Sequence, residues 1–105
     1  FDLLYKGETF GCSSPLIGQH NIYNVLAAIS VAHQRLGCDL QQLISAVANV
    51  ETPRGRLEPV FSGPCPIYID YAHTPDALDN VCKTLQALLP QDGRLIVVFG
   101  CGGDR

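Results

Sequence analysis

Between Arg94 and Gly100 the sequence reads RLIVVFG, and no polar residue interrupts it from Leu95 to Phe99. A strand that alternates in polarity can leave one face in water, whereas an unbroken run needs cover on both faces. That requirement points to a parallel sheet, and the residues upstream supply the rest of the unit. PIYID, ending at Asp70, is a second short apolar run. Between the two runs Leu78, Val81, Cys82, Leu85, Leu88 and Leu89 recur at helical spacing. Thr74 stands where an N-cap belongs and Pro75 at the first helical position, so the pattern predicts a helix from Pro75 to about Leu89. Strand, helix, strand is a βαβ unit, right-handed with parallel strands.

Upstream of this unit the pattern differs. FDLLYKGETFGC alternates on either side of Lys6-Gly7 and predicts a β-hairpin with Gly7 in the turn. Ile22, Val25, Leu26, Ile29 and Leu36 then form one helical stripe, with Gly37 as its stop. Leu40, Leu43, Ile44, Val47 and Ala48 form a second stripe, with Asp39 placed to cap it. So few residues join the two that an antiparallel helical hairpin is predicted. ETPRGR breaks the pattern, and LEPVF and PIYID follow as strands around the turn SGPCP. The fold class is α/β, with a boundary that assigns 1–52 to one domain and 53–105 to the next.

Composition narrows the classes of function. Hydrophobic residues make up 47% of the chain and charged residues 16%, the balance of a folded domain. The formal net charge of -3 argues against a nucleic-acid partner, which needs a basic face. No apolar run is long enough to span a membrane, and no basic stretch followed by an apolar one opens the chain. The chain begins without methionine and ends in the glycine-rich FGCGGDR, so it reads as a piece of a longer protein. The five cysteines, Cys12, Cys38, Cys65, Cys82 and Cys101, show no C-x-x-C spacing and read as small reduced hydrophobes of a cytoplasmic protein.

Ligands of open parallel sheets sit at the carboxyl ends of the strands. Asp70 ends one strand, Tyr71 and His73 follow it, and Gly100, Gly102 and Gly103 follow the other. A carboxylate there can accept from ribose hydroxyls, and an aromatic can pack on a ring. In GQHNIYN, His20, Asn21 and Asn24 open a helix, and an asparagine amide offers a donor and an acceptor together, as an adenine edge requires. In PRGRLE, Arg54 and Arg56 flank a glycine, and guanidinium groups suit phosphate. Each feature has a plainer reading: Asn21 as a helix cap, the arginines as solvated linker charges, His73 as a surface histidine. The phosphate loop G-x-x-x-x-G-K-[ST] occurs nowhere in the chain, so the phosphates of any nucleotide are held mainly by residues outside it.

Taken in order, GQHNIYNVLAAISVA, PRGRLEPV, YIDYAHTPDAL and VVFGCGGDR resemble the Mur ligase family, and within it the tripeptide-synthetase (MurE) type. The resemblance implies that 1–52 is the end of the central ATP-binding domain, a β-hairpin plus a helical hairpin. It implies that 53–105 opens the Rossmann-like, amino-acid-binding C-terminal domain with its first βαβ unit. It further implies that Asn24 reaches adenine in a pocket shaped by His20 and Asn21, that Arg56 reaches ATP phosphate or ribose across the domain interface, and that Asp70 holds the ribose beside Tyr71 and His73. Arg105 would bind a carboxylate of the incoming amino acid. The chain reads P-R-G-R where the family has P-G-R, so Arg54 remains an alternative to Arg56, which Leu57 and Glu58 favour.

The implied reaction joins a diamino acid, meso-diaminopimelate ahead of L-lysine, to UDP-N-acetylmuramoyl-L-Ala-D-Glu through an acyl phosphate, with ATP and Mg2+. The catalytic residues and metal ligands would lie outside this segment, in a cytoplasmic enzyme that is monomeric when full length. Closing the two domains on ATP would exclude water from the intermediate. Three alternatives stand beside it: a sister Mur ligase or folylpolyglutamate synthase, a non-catalytic nucleotide-binding relative, and a small α/β interaction domain without a ligand.

Overall fold

The computed structural model describes residues 1–100 and 102. The chain divides into two compact units, Phe1–Thr52 and Pro53–Arg105. Each is described by itself.

The first unit opens with β1 (Asp2–Tyr5) paired antiparallel to β2 (Glu8–Gly11), Tyr5 facing Glu8 across the turn. Lys6 and Gly7 have φ of 50° and 85°. Positive φ at both central residues is the type I′ geometry whose twist suits a tight hairpin, and glycine adopts it without cost. Two helices follow, α1 (Gln19–Leu36) and α2 (Leu40–Val47). α1 ends at Gly37, in the left-handed conformation, whose N–H bonds the Ala32 carbonyl. Asp39 caps α2 by accepting from the Gln42 N–H at 2.9 Å.

Val25 and Ile29 of α1, Leu40 and Ile44 of α2, and Cys12 after the hairpin form one buried cluster. Leu3, Tyr5 and Phe10 of the hairpin pack on it, with Leu16, Leu43 and Val47. Each such aliphatic side chain contributes about 1.5–3 kcal/mol relative to exposure. His33 stitches the unit together: its Nδ1 lies 2.8 Å from the Cys38 carbonyl, and its ring meets Tyr5 edge-on at 5.2 Å. Leu36, predicted on the buried stripe, is instead 73% exposed. Periodicity fixes the direction in which a side chain points, not what lies opposite it.

In the second unit β3 (Glu58–Phe61) pairs antiparallel with β4 (Ile67–Ile69), with a bulge between Pro59 and Phe61. Proline, which has no N–H for the ladder, is at home beside such an irregularity. α3 spans Pro75–Gln86, Thr74 capping it by accepting from the Ala77 N–H at 3.3 Å. The helix stops short of the predicted Leu89, and Leu88 is 59% exposed.

The element content is mixed α and β, as the sequence predicts. The apolar run that argued for a βαβ unit, however, forms no strand: residues 94–100 lie in no helix or strand. Among the described residues β4 pairs only with β3, antiparallel. A strand apolar on both faces is held by its neighbours, and no described residue supplies one. Ile96, Val98 and Phe99 are accordingly exposed. Among the described residues of this unit, Leu57 is the one buried hydrophobic side chain.

Candidate functional site

The second unit places its site residues on two adjoining loops. One is the turn 53–57 that leads into β3, the other the loop 70–74 between β4 and α3. Asp70 joins them. Its Oδ2 accepts from the Leu57 N–H at 2.8 Å, and its Oδ1 accepts from the Ala72 N–H at 2.8 Å. The Tyr71 N–H donates to the Gly55 carbonyl at 2.9 Å, and Glu58 Oε2 accepts from the Gly55 N–H at 2.8 Å. The Arg56 N–H donates to the Pro53 carbonyl at 3.2 Å.

This turn is unusual in its backbone. Gly55 has φ of 64° and Leu57 φ of 48°. Left-handed φ costs a residue with a side chain about 1–2 kcal/mol. Two features offset that cost at Leu57: its side chain is only 2% exposed, and its N–H meets a carboxylate, a charge-assisted bond worth about 1.5–3 kcal/mol. Arg56 lies between these two residues, its side chain exposed. Among the described residues it makes no ion pair, while Glu58 and Asp70 accept from backbone N–H groups.

Tyr71 and His73 lie beside this turn. Tyr71 is 67% exposed, and its ring meets that of His73 edge-on at 5.1 Å. His73 Nδ1 lies 2.9 Å from the Tyr71 carbonyl. With Nδ1 donating there, the neutral imidazole presents Nε2 as an acceptor. Asp70 is a turn residue here: its carboxylate ties the loop that carries Tyr71 and His73 to the turn that carries Arg56. The structural weight of Leu57 was not legible beforehand, since it depends on a partner thirteen residues away, Asp70.

In the first unit the α1 entry carries His20, Asn21 and Asn24. Asn21 is not the cap. Gly18 occupies that position without a side-chain bond, and Asn21 Nδ2 donates back to the Ile17 carbonyl at 2.8 Å. Asn21 Oδ1 accepts from Asn24 Nδ2 at 3.1 Å, which orients the exposed Asn24 amide. His20 is exposed. A cleft of about 400 Å3 opens at this helix start, lined in part by Ser14, Leu16, Gly18, Asn21 and Ile22. Arg105, Gly103 and Cys101, singled out in the sequence, lie outside the described residues.

The cysteines differ among themselves. Cys12 is buried, Cys38 and Cys82 are half-buried and Cys65 is exposed, and all of these are free thiols. Cys65 is therefore no packed hydrophobe, because the turn that carries it buries little. Burial raises the Cys12 thiol above its ordinary 9.0. Among the described residues no three of His, Cys, Asp and Glu gather as a metal site would require.

Residues 55–105, from the strained turn to the end of the chain, match the family described as Mur ligase, glutamate ligase domain. Over all 105 residues the chain is 88% identical to a protein of Chlamydia abortus (strain DSM 27085 / S26/3) named UDP-N-acetylmuramoyl-L-alanyl-D-glutamate--2,6-diaminopimelate ligase. Residues 55–105 belong to the Mur ligase family. A ligase of the same name from Chlamydia trachomatis serovar D is 60% identical over the same length. Beyond that genus, UDP-N-acetylmuramyl-tripeptide synthetase 2 of Oceanobacillus iheyensis is 45% identical over 107 aligned residues that take in the whole chain. The chain spans 22% of the two chlamydial Mur ligases and 21% of the third.

Proposed function

We propose that the chain is part of a cytoplasmic, ATP-dependent ligase that adds meso-diaminopimelate to UDP-N-acetylmuramoyl-L-Ala-D-Glu during peptidoglycan precursor synthesis. The observation that carries this reading is the 88% identity, without interruption, to a protein named for that reaction. In such a ligase ATP phosphorylates the D-Glu carboxylate, and the amine of the diamino acid displaces phosphate from the acyl phosphate. The energetic problem is charge: the transferring phosphoryl group needs cations and fixed donors around it.

This segment supplies part of that environment. Arg56, carried on the hydrogen-bonded turn 53–57 and without an ion pair among the described residues, offers a guanidinium to ATP phosphate or ribose. Tyr71 and His73 offer aromatic faces to the same nucleotide, and Asp70 belongs to that corner. Asn24, oriented by Asn21 and flanked by His20, offers an amide to adenine. Arg105 is the contact for the amino-acid carboxylate. On this reading Mg2+ accompanies ATP, with its ligands in parts of the enzyme outside this segment.

The test is turnover by the full-length parent protein. ADP release is followed with ATP and UDP-N-acetylmuramoyl-L-Ala-D-Glu, with meso-diaminopimelate or L-lysine supplied in parallel. Turnover with meso-diaminopimelate alone is the expected result. Turnover with L-lysine alone would overturn the substrate, and none with either from a folded, ATP-binding protein would overturn the reaction.

A further inference from the structure

At the start of α1 two asparagine side chains form a relay that begins at the backbone. Asn21 Nδ2 donates to the Ile17 carbonyl at 2.8 Å, and Asn21 Oδ1 accepts from Asn24 Nδ2 at 3.1 Å. A side-chain amide is nearly symmetric in shape, and half a turn about its last bond exchanges donor for acceptor. The relay removes that freedom. The Ile17 carbonyl can only accept, so Asn21 must turn its NH2 towards it and its oxygen the other way. That oxygen can only accept in its turn, so Asn24 must meet it with its own NH2. Asn24, exposed on the helix, keeps its carbonyl oxygen and one N–H for a ligand.

We infer that Asn21 is a positioning residue that fixes the polarity of the Asn24 amide, and that this polarity selects a purine with an amino group at position 6 over one with a carbonyl there. This rests on the reading of Asn24 as the adenine contact, and it adds to that reading how the base is chosen. Adenine donates a 6-amino hydrogen to Asn24 Oδ1 and accepts the remaining Nδ2–H at the neighbouring ring nitrogen, a bidentate pair. Hypoxanthine, with oxygen at position 6, sets acceptor against acceptor. An untethered Asn24 would turn over and pair with either base. The contact alone therefore does not discriminate, and the tether does.

The experiment uses the full-length ligase. It compares kcat/KM for ATP with that for inosine triphosphate, in which a carbonyl replaces the 6-amino group, and records thermal midpoints alongside. Wild type is expected to prefer ATP about 10–100-fold, the scale of one bidentate base contact. Asn21→Ser keeps the tie to Ile17, since Ser30 and Ser45 donate to the carbonyl four residues back in the same way, but it has no second polar atom to hold Asn24. Its preference is expected to fall below about 5-fold with the midpoint kept. Asn21→Asp is the converse: it gives up the tie to Ile17 and still accepts from Asn24 Nδ2, so its preference is expected to stay near that of wild type. Asn24→Ala is expected to lower kcat/KM for ATP about 10–100-fold and to abolish the preference. Adding Asn21→Ser to Asn24→Ala is expected to change nothing further, because residues acting through one contact are not additive.

Equal use of the two nucleotides by wild type would overturn the inference, as would a preference that survives Asn21→Ser or is lost in Asn21→Asp. Unchanged ATP kinetics in Asn24→Ala would instead overturn the adenine reading of Asn24. Should Asn21→Ser fail to fold, Asn21→Ala carries the same test, and the wild-type comparison needs no variant.

Discussion

Val25 and Val98 are the same side chain in opposite circumstances, 6% exposed in the first unit and 95% exposed in the second. The first unit is self-sufficient in its contacts. Two helices and a hairpin close on one cluster, each element amphipathic on its own. The second unit has polar order without an apolar interior: its loops are tied by carboxylates while Val60, Phe61, Ile67 and Ile69 of its small sheet remain exposed. Helical stripes need one facing partner to bury them, whereas a doubly apolar strand needs neighbours at both edges and a layer on each face. Relatives several times longer than this chain have the residues to provide those layers.

The largest effect that separates the units is core truncation. Ile29→Ala or Ile44→Ala should destabilise the first unit by about 2–5 kcal/mol, read as a drop in its thermal or denaturant midpoint. Val98→Ala should change the stability of the 105-residue chain by less than about 0.5 kcal/mol, yet cost the full-length protein about 1–3 kcal/mol if neighbouring strands bury it there. Equal small effects in both contexts would break the comparison, because Val98 would then be a surface residue in the whole protein too.

A smaller effect distinguishes the thiols. Cys65 is exposed and should alkylate readily at neutral pH, whereas Cys12 should react only as the first unit opens. The raised Cys12 pKa also has a pH signature. The folded state keeps this proton to higher pH than the unfolded chain, so the thiol has no effect on stability well below its ordinary 9.0 and lowers stability as pH rises past that value. Replacement of Cys12 by Ala should flatten that alkaline fall, measured as the midpoint against pH. An unaltered slope would assign the fall to other groups.

What could be read from the sequence follows the range of the interactions. The Lys6-Gly7 turn, the Gly37 stop, and the Asp39 and Thr74 caps each depend on residues within a few positions, and each forms as its residues dictate. The helical stripes were legible because α1 and α2 supply each other's partner. The 94–100 run misled about the strand for the converse reason, since its partners are non-local. At the candidate site, residue types pointed to Asp70, Tyr71 and His73 and separately to Arg54 and Arg56, only the resemblance grouped them, and bonds between the two loops link their positions. The clasp itself was hidden. Nothing in the spacing of Leu57 and Asp70 marks a left-handed leucine held by a carboxylate. The plainer reading of Asn21 as a cap fails, because glycine takes that position here.

The measurement that bears most directly on this account is nucleotide binding by the full-length protein and its Arg56→Ala and Arg54→Ala variants, titrated calorimetrically with a non-hydrolysable ATP analogue. Arg56→Ala is expected to weaken binding about 10–100-fold and Arg54→Ala less than about 3-fold, with thermal midpoints unchanged, because Arg56 is the arginine assigned to the nucleotide. Wild-type affinity in the Arg56→Ala protein, or a larger loss in Arg54→Ala, would contradict the assignment of Arg56 to the nucleotide.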